Sequence, residues 1–254
     1  MKGLLFPLRL ARLGISNPHG LREVLGVADH LCDYFFDREA DVSTLPLVRL
    51  TDLAEEEIGI GASVVLMPAL RFSITPIEAL TLAVLVRTVR ARRIFEFGTH
   101  RGVSTTQLAA NLEEGGEVLT LDLPLDFGEH ALGVDNEAEV EVAQFRNKGE
   151  MIPSELRSRI TFLAEDSAKF DPSPYAGQMD LVFVDAAHTF DYVRNDSEKG
   201  WAMLRVGGII VWHDCRPQSP DVVKYLKQCP YLVKRIEGTT LAFAVKPGGP
   251  GLTD

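Results

Sequence analysis

Cysteine is scarce in this chain of 254 residues: Cys32, Cys215 and Cys229 are odd in number and widely spaced. No C-x-x-C pair offers a zinc cage or a redox dithiol, and this usage points to a reducing cytosol rather than a disulfide framework. Positive charge is in deficit, with 26 Lys and Arg against 36 Asp and Glu and a net charge of −10. That balance excludes the cationic surface that duplex nucleic acid or an anionic membrane requires, and leaves small neutral or cationic ligands as the better partners. Long apolar runs are missing as well. The longest, Ala79 to Val86 broken by Thr81, falls far short of the roughly 20 residues that cross a bilayer. Arg9 and Arg12 interrupt the apolar start before an export signal is complete. Hydrophobic residues make up 46% and charged residues 24%, with a mean hydropathy of +0.04, the composition of a globular chain with a real core.

Pattern changes divide the chain in two. Residues 20–36 carry apolar side chains at helical spacing, and the apolar stretch 62–70 has no clear period, so residues 1–74 read as an N-terminal helical cap or oligomerisation segment. The main domain, residues 75–254, opens on Thr75-Pro76-Ile77-Glu78, where Thr75 can cap a helix, Pro76 suits its first position and Glu78 completes a capping box. From Arg92 onward, strand candidates at Ile94–Phe97, Val118–Leu121, Ile160–Leu163, Leu181–Val184, Ile209–Trp212, Leu232–Ile236 and Leu241–Val245 alternate with helices near 103–113, 137–157, 190–204 and 219–228. This is an α/β pattern: a Rossmann-like, doubly wound, mostly parallel sheet of seven strands. Glu237–Thr240 is too short for a crossover helix, so the last two strands form an antiparallel hairpin.

Open α/β sheets bind ligands beyond the carboxyl ends of their strands, and there the sequence is polar. The loop Glu96-Phe97-Gly98-Thr99-His100-Arg101-Gly102-Val103-Ser104 follows the first of these strands, with Gly98 permitting a tight turn and Gly102 a close backbone approach to a ligand. His100 and Arg101 stand where a dinucleotide loop would place its middle glycine, and neither a phosphate-gripping G-x-x-x-x-G-K-[ST] nor a G-x-S-x-G elbow occurs. Asp122, about twenty residues past Gly102, can accept hydrogen bonds from both hydroxyls of a ribose. Glu165-Asp166-Ser167 offers an acceptor for an adenine amino group and a hydroxyl for the ring edge.

The series EFGTHRG, LTLDLP, ITFLAEDS and DLVFVDAAHTFDYVRNDSEKGWAMLRVGGIIVWHD resembles the class I S-adenosylmethionine-dependent methyltransferases, in particular bacterial small-molecule and sugar O-methyltransferases, over about residues 75–246. The resemblance implies S-adenosylmethionine as cofactor, with Glu96, Gly98 and Gly102 at its methionine end, Asp122 on the ribose and Asp166 with Ser167 on the adenine. Thr99, His100, Ser104 and Asp185 belong to the same expected surface. It further implies an N-terminal segment that covers a small-molecule acceptor or builds a dimer contact. Asp185-Ala186-Ala187-His188 and Trp212-His213-Asp214-Cys215 end neighbouring strands, so two carboxylates and two imidazoles converge where the acceptor must sit. His188 is the expected general base, His213 an alternative, and Asp185 with Asp214 an expected site for Mg2+. Metal-dependent catechol-type relatives place an Asn where Cys215 stands, and a thiol suits a hard cation poorly. Asp191, Tyr192, Arg194, Asp196, Glu198 and Lys199 read as the solvated face of a helix that buries Val193, Trp201 and Leu204. The long connection 123–149 reads as a lid over the cofactor. A catalytically silent cofactor-binding or assembly protein, or an NAD-dependent oxidoreductase, are the alternative readings.

Overall fold

The apolar runs rich in Val, Ile, Leu and Phe form a single sheet, because parallel strands covered on both faces need side chains that can be buried on either side. The computed structural model describes residues 41–54, 60–68, 70, 72–126, 130–134, 140–142 and 144–248. Its strands are Leu47–Val48 (β1), Arg93–Phe97 (β2), Glu117–Asp122 (β3), Ile160–Ala164 (β4), Met179–Val184 (β5), Leu204–Trp212 (β6), Lys234–Ile236 (β7) and Ala242–Val245 (β8), in the order β1-β7-β8-β6-β5-β2-β3-β4. The helices are Pro76–Thr88 (α1), Val103–Ala110 (α2), Phe190–Met203 (α3) and Pro220–Gln228 (α4). Only β8 runs antiparallel to its neighbours, pairing Ile209 with Val245 on one side and Lys234 with Phe243 on the other, so the expected terminal hairpin is present.

Alternation along β2 shows how the layers are built. Phe95 and Phe97 pack with Val193 of α3 and with Val222 and Leu226 of α4, whereas Ile94 packs with Leu82 and Val86 of α1 and Leu108 of α2. The chain leaves β2 for β3 and β4 on one side, and β5 and β6 lie on the other. The carboxyl ends of β2 and β5 therefore meet at the switch point where such sheets hold ligands.

Three expectations change. The sheet has eight strands, not seven, because Leu47–Val48 adds a parallel edge to β7; two residues are too few to give a periodic signal. The helix expected over 137–157 does not run through: residues 140–142 are helical, 144–153 are turns and loop, and Ser154–Arg159 is a 3-10 turn. Gly149 at φ +71° and Pro153 explain the break. Third, residues 60–68 form neither helix nor strand. Ser63 exchanges two hydrogen bonds with the side-chain amide of Asn111, and Val65 exchanges two with that of Gln107, so two buried amides of α2 pair with this segment. The helix read over residues 20–36 lies outside the described residues.

Candidate active site

The loop after β2 is held from below. Glu96, at the penultimate position of β2, is fully buried and accepts hydrogen bonds from Ser104 Oγ (2.6 Å), Thr105 Oγ1 (2.5 Å) and Thr120 Oγ1 (2.6 Å). Burial raises its carboxyl to about 7, against the pull of those three hydroxyls, with Asp185 adding to the rise. Three of its roughly four acceptor positions are thus filled by protein. Glu96 and Ser104 shape the loop from beneath rather than lining its open side. The two glycines serve packing. A Cβ on Gly98 (φ +97°) would stand 2.1 Å from the carbonyl oxygen of Asp185, and one on Gly102 (φ +85°) would stand 2.5 Å from the Ile152 side chain. On the side where a Cβ would stand, Gly102 therefore packs against Ile152 and the Gly149 backbone.

Asp122 closes β3 beside this loop. Its Oδ2 accepts the Thr99 amide at 3.1 Å and the His100 amide at 2.8 Å, its Oδ1 accepts the Leu123 amide at 2.7 Å, and Lys148 Nζ pairs with the same Oδ1. His100 adopts φ +43°, an unusual conformation for a residue with a side chain, which points its amide at Asp122. Its imidazole is held below the ordinary value by burial and by Arg101.

Asp166 follows β4. It accepts from Tyr192 Oη at 3.1 Å, from the Ala131 amide at 2.9 Å and from the Ala168 amide at 2.9 Å. The Ser167 carbonyl accepts from Asn195 (3.1 Å) and Lys199 (2.5 Å). This corrects the reading of α3 as solvated on its polar side. Tyr192, Asn195, Asp196 and Lys199 lie on one helical face by their i, i+3, i+4, i+7 spacing, and that face grips residues 166–168. Asp196 is fully buried, and burial raises its carboxyl to about 7 despite Ser167, Asn195 and Lys199.

At the ends of β5 and β6 the buried groups are ionic. His213 lies between three carboxylates: Nδ1 is 3.1 Å from Asp185 Oδ1 and 3.4 Å from Asp214 Oδ2, and Nε2 is 3.4 Å from Glu78 Oε2. Burial opposes its charge, but Asp185, Asp214 and Glu78 outweigh burial and hold the imidazole well above its ordinary value. His213 thereby braces the three carboxylates electrostatically. Asp214 adopts φ +56° and faces His188 Nε2 at 2.7 Å and Arg216 Nε at 2.9 Å. Burial again opposes the charged form, and His213 and His188 override it to hold the Asp214 carboxyl well below the usual range.

Two members of this cluster were not read as site residues in the sequence. Arg216 gave no signal. Glu78 was seen only as the capping-box residue of α1, a role it fulfils by accepting from Thr75 N at 2.8 Å. Its second oxygen accepts the amide and hydroxyl of Thr240 in the β7–β8 connection, both at 2.8 Å, so one buried carboxylate joins α1, the terminal hairpin and His213. Cys215, by contrast, is buried in the apolar cluster with Val222 and Tyr225. Asp185, His188 and Asp214 each offer one ligand atom, all within 4.8 Å of one another. Among the described residues, then, His188 and not Cys215 completes the donor set. Two carboxylates and an imidazole fit a divalent cation, and a mixed oxygen and nitrogen set suits Mn2+ or Zn2+ at least as well as Mg2+.

Residues 95–215, which span these strand ends, match the sequence profile of a family described as a methyltransferase domain. The caffeoyl-CoA O-methyltransferase of Stellaria longipes is 26% identical over 190 residues, covering 70% of this chain and 73% of that protein. A Mycobacterium ulcerans protein assigned to the O-methyltransferases is 30% identical over 177 residues, covering 69% and 66%. In fold, the chain resembles TomG of Streptomyces achromogenes, an O-methyltransferase of tomaymycin synthesis solved with S-adenosylmethionine, with a TM-score of 0.50 at 17% identity over 87% of this chain and 96% of that one. The profile and the relatives together support a class I S-adenosylmethionine-dependent O-methyltransferase. No helix among the described residues is long and apolar enough to cross a membrane.

Proposed function

We propose that this methyltransferase transfers the methyl group of S-adenosylmethionine to a hydroxyl of a small acceptor, a sugar or a natural product, with His188 as general base. The observation that carries the reading is the His188–Asp214 contact at 2.7 Å, set beside Asp185 at the end of β5, next to the glycine loop. Because the sulfonium already activates its methyl group, the protein must align the acceptor oxygen and remove its proton. Alignment is worth on the order of 7–11 kcal/mol, and a positioned base about 10²–10⁴-fold. Asp214 faces Nε2 of His188 at 2.7 Å and stabilises the imidazolium that forms when His188 takes the acceptor's proton. His213 and Arg216 keep Asp214 ionised for that task. Asp122 is assigned to the ribose, and Asp166, with the backbone behind it, to the adenine. Cys215 and Cys229 are free thiols, in keeping with a cytosolic setting.

A cation-assisted reading is favoured by the donor set Asp185, His188 and Asp214. A divalent ion there would lower the pKa of the acceptor hydroxyl, and His188 would then serve as a ligand. Two measurements separate the roles. His188→Ala is expected to lower turnover by about 10²–10⁴-fold while S-adenosylhomocysteine still binds; full turnover would eliminate His188 from either role. Activity that survives exhaustive chelation supports the base, whereas activity lost on chelation and restored by Mn2+ or Mg2+ supports the ligand.

A further inference from the structure

Lys148 has no place in the chemistry above, yet its ammonium occupies the carboxylate assigned to the cofactor's ribose. Its Nζ pairs with Asp122 Oδ1 and also donates to the Leu123 carbonyl at 2.7 Å. The pair is largely sheltered, with 13% of the lysine and 19% of the aspartate side chain exposed. A carboxylate offers about four acceptor positions. Here the amides of Thr99, His100 and Leu123 take three, and Lys148 takes the fourth. A ribose diol needs acceptor positions of its own, so a donor must leave. The three amides are backbone groups at the end of β3 and in the glycine loop; only the ammonium sits on a flexible stem. The root of that stem is fixed. Gly149 donates to the His100 carbonyl at 2.8 Å, Met151 donates to the Arg101 carbonyl at 2.9 Å, and Arg157 donates to the Gly149 carbonyl at 2.9 Å.

We infer that Lys148 is a built-in competitor for the ribose subsite, displaced from Asp122 whenever the nucleoside of the cofactor or its product binds. The inference rests on the assignment of Asp122 to the ribose. Its consequence is a lowered affinity for both nucleosides, since each must break the Lys148–Asp122 pair, and a faster release of S-adenosylhomocysteine, because the lysine is tethered beside the carboxylate it reclaims.

Calorimetric titration with S-adenosylhomocysteine tests both layers. Lys148→Met is expected to tighten binding roughly three- to tenfold and to slow dissociation, while Lys148→Arg stays near the parent. Asp122→Asn is expected to weaken binding. The double variant should match Asp122→Asn alone, because the competition needs the carboxylate. Weaker or unchanged binding in Lys148→Met, with Asp122→Asn still weakened, overturns the competitor and leaves the ribose assignment standing. Unchanged binding in Asp122→Asn overturns the ribose assignment itself. Lys148→Gln provides the same reading if the methionine variant does not fold.

Discussion

Glu78, in the first turn of α1, and Glu96, in β2, are buried glutamates, 2% and 0% exposed, and their carboxyls shift in opposite directions. Glu78 meets an imidazolium, His213, together with the amides of Thr75 and Thr240; burial works against its charge, and these partners still hold the carboxyl far below its ordinary value. Glu96 meets three hydroxyls and the field of Asp185, and burial prevails, raising it to about 7. Depth is the same in both places. What differs is whether the partner carries a charge of its own, and this divides the site. Around Glu96, neutral donors brace the loop after β2. Around Glu78, opposite charges hold the ends of β5 and β6.

The largest way to break this contrast is to remove the ionic partner. Glu78→Ala leaves the His213 charge with one carboxylate fewer, removes the reciprocal half of the α1 capping box and frees Thr240, and is expected to cost roughly 3–5 kcal/mol in urea unfolding. A loss under about 1 kcal/mol would show that the cluster holds without it. The neutral side responds to pH. The folded-state value of Glu96 lies above its ordinary 4.5, so the folded protein binds that proton more tightly than the unfolded chain. The stabilisation is complete below pH 4.5 and is lost as pH rises towards 7. Asp196, also raised to about 7, adds a slope of the same sign. Glu96→Gln cannot titrate. Measured against the parent, it should gain a few kcal/mol in relative stability between pH 4.5 and 8; parallel stability curves would contradict a raised Glu96.

The same contrast explains what the sequence made legible. Strand ends were readable because β-branched and aromatic runs stop abruptly at polar residues, which placed Glu96, Asp122, Asp166, Asp185 and Asp214 at the correct edge of the sheet. Long-range partners were not readable. Nothing local in Lys148 announces Asp122, 26 residues away, and nothing in Glu78 announces Thr240, 162 away. Capping chemistry fully accounted for Glu78 and so concealed its second contact. On α3, hydrophilicity alone sets Tyr192, Asp196 and Lys199 towards solvent, whereas their interval, shared with Asn195, sets them on one face. Gly149 and Pro153 were breakers in plain view inside a segment read as helical. The two-residue strand β1 and the 62–66 segment depend on partners that no window of sequence contains.

The central assignment is tested most directly by parallel calorimetry of the parent and Asp122→Asn with S-adenosylhomocysteine and NAD. One-site binding of S-adenosylhomocysteine alone, weakened by about 1–3 kcal/mol in the variant, is the predicted result. Binding of NAD, or an affinity for S-adenosylhomocysteine indifferent to Asp122, would contradict it.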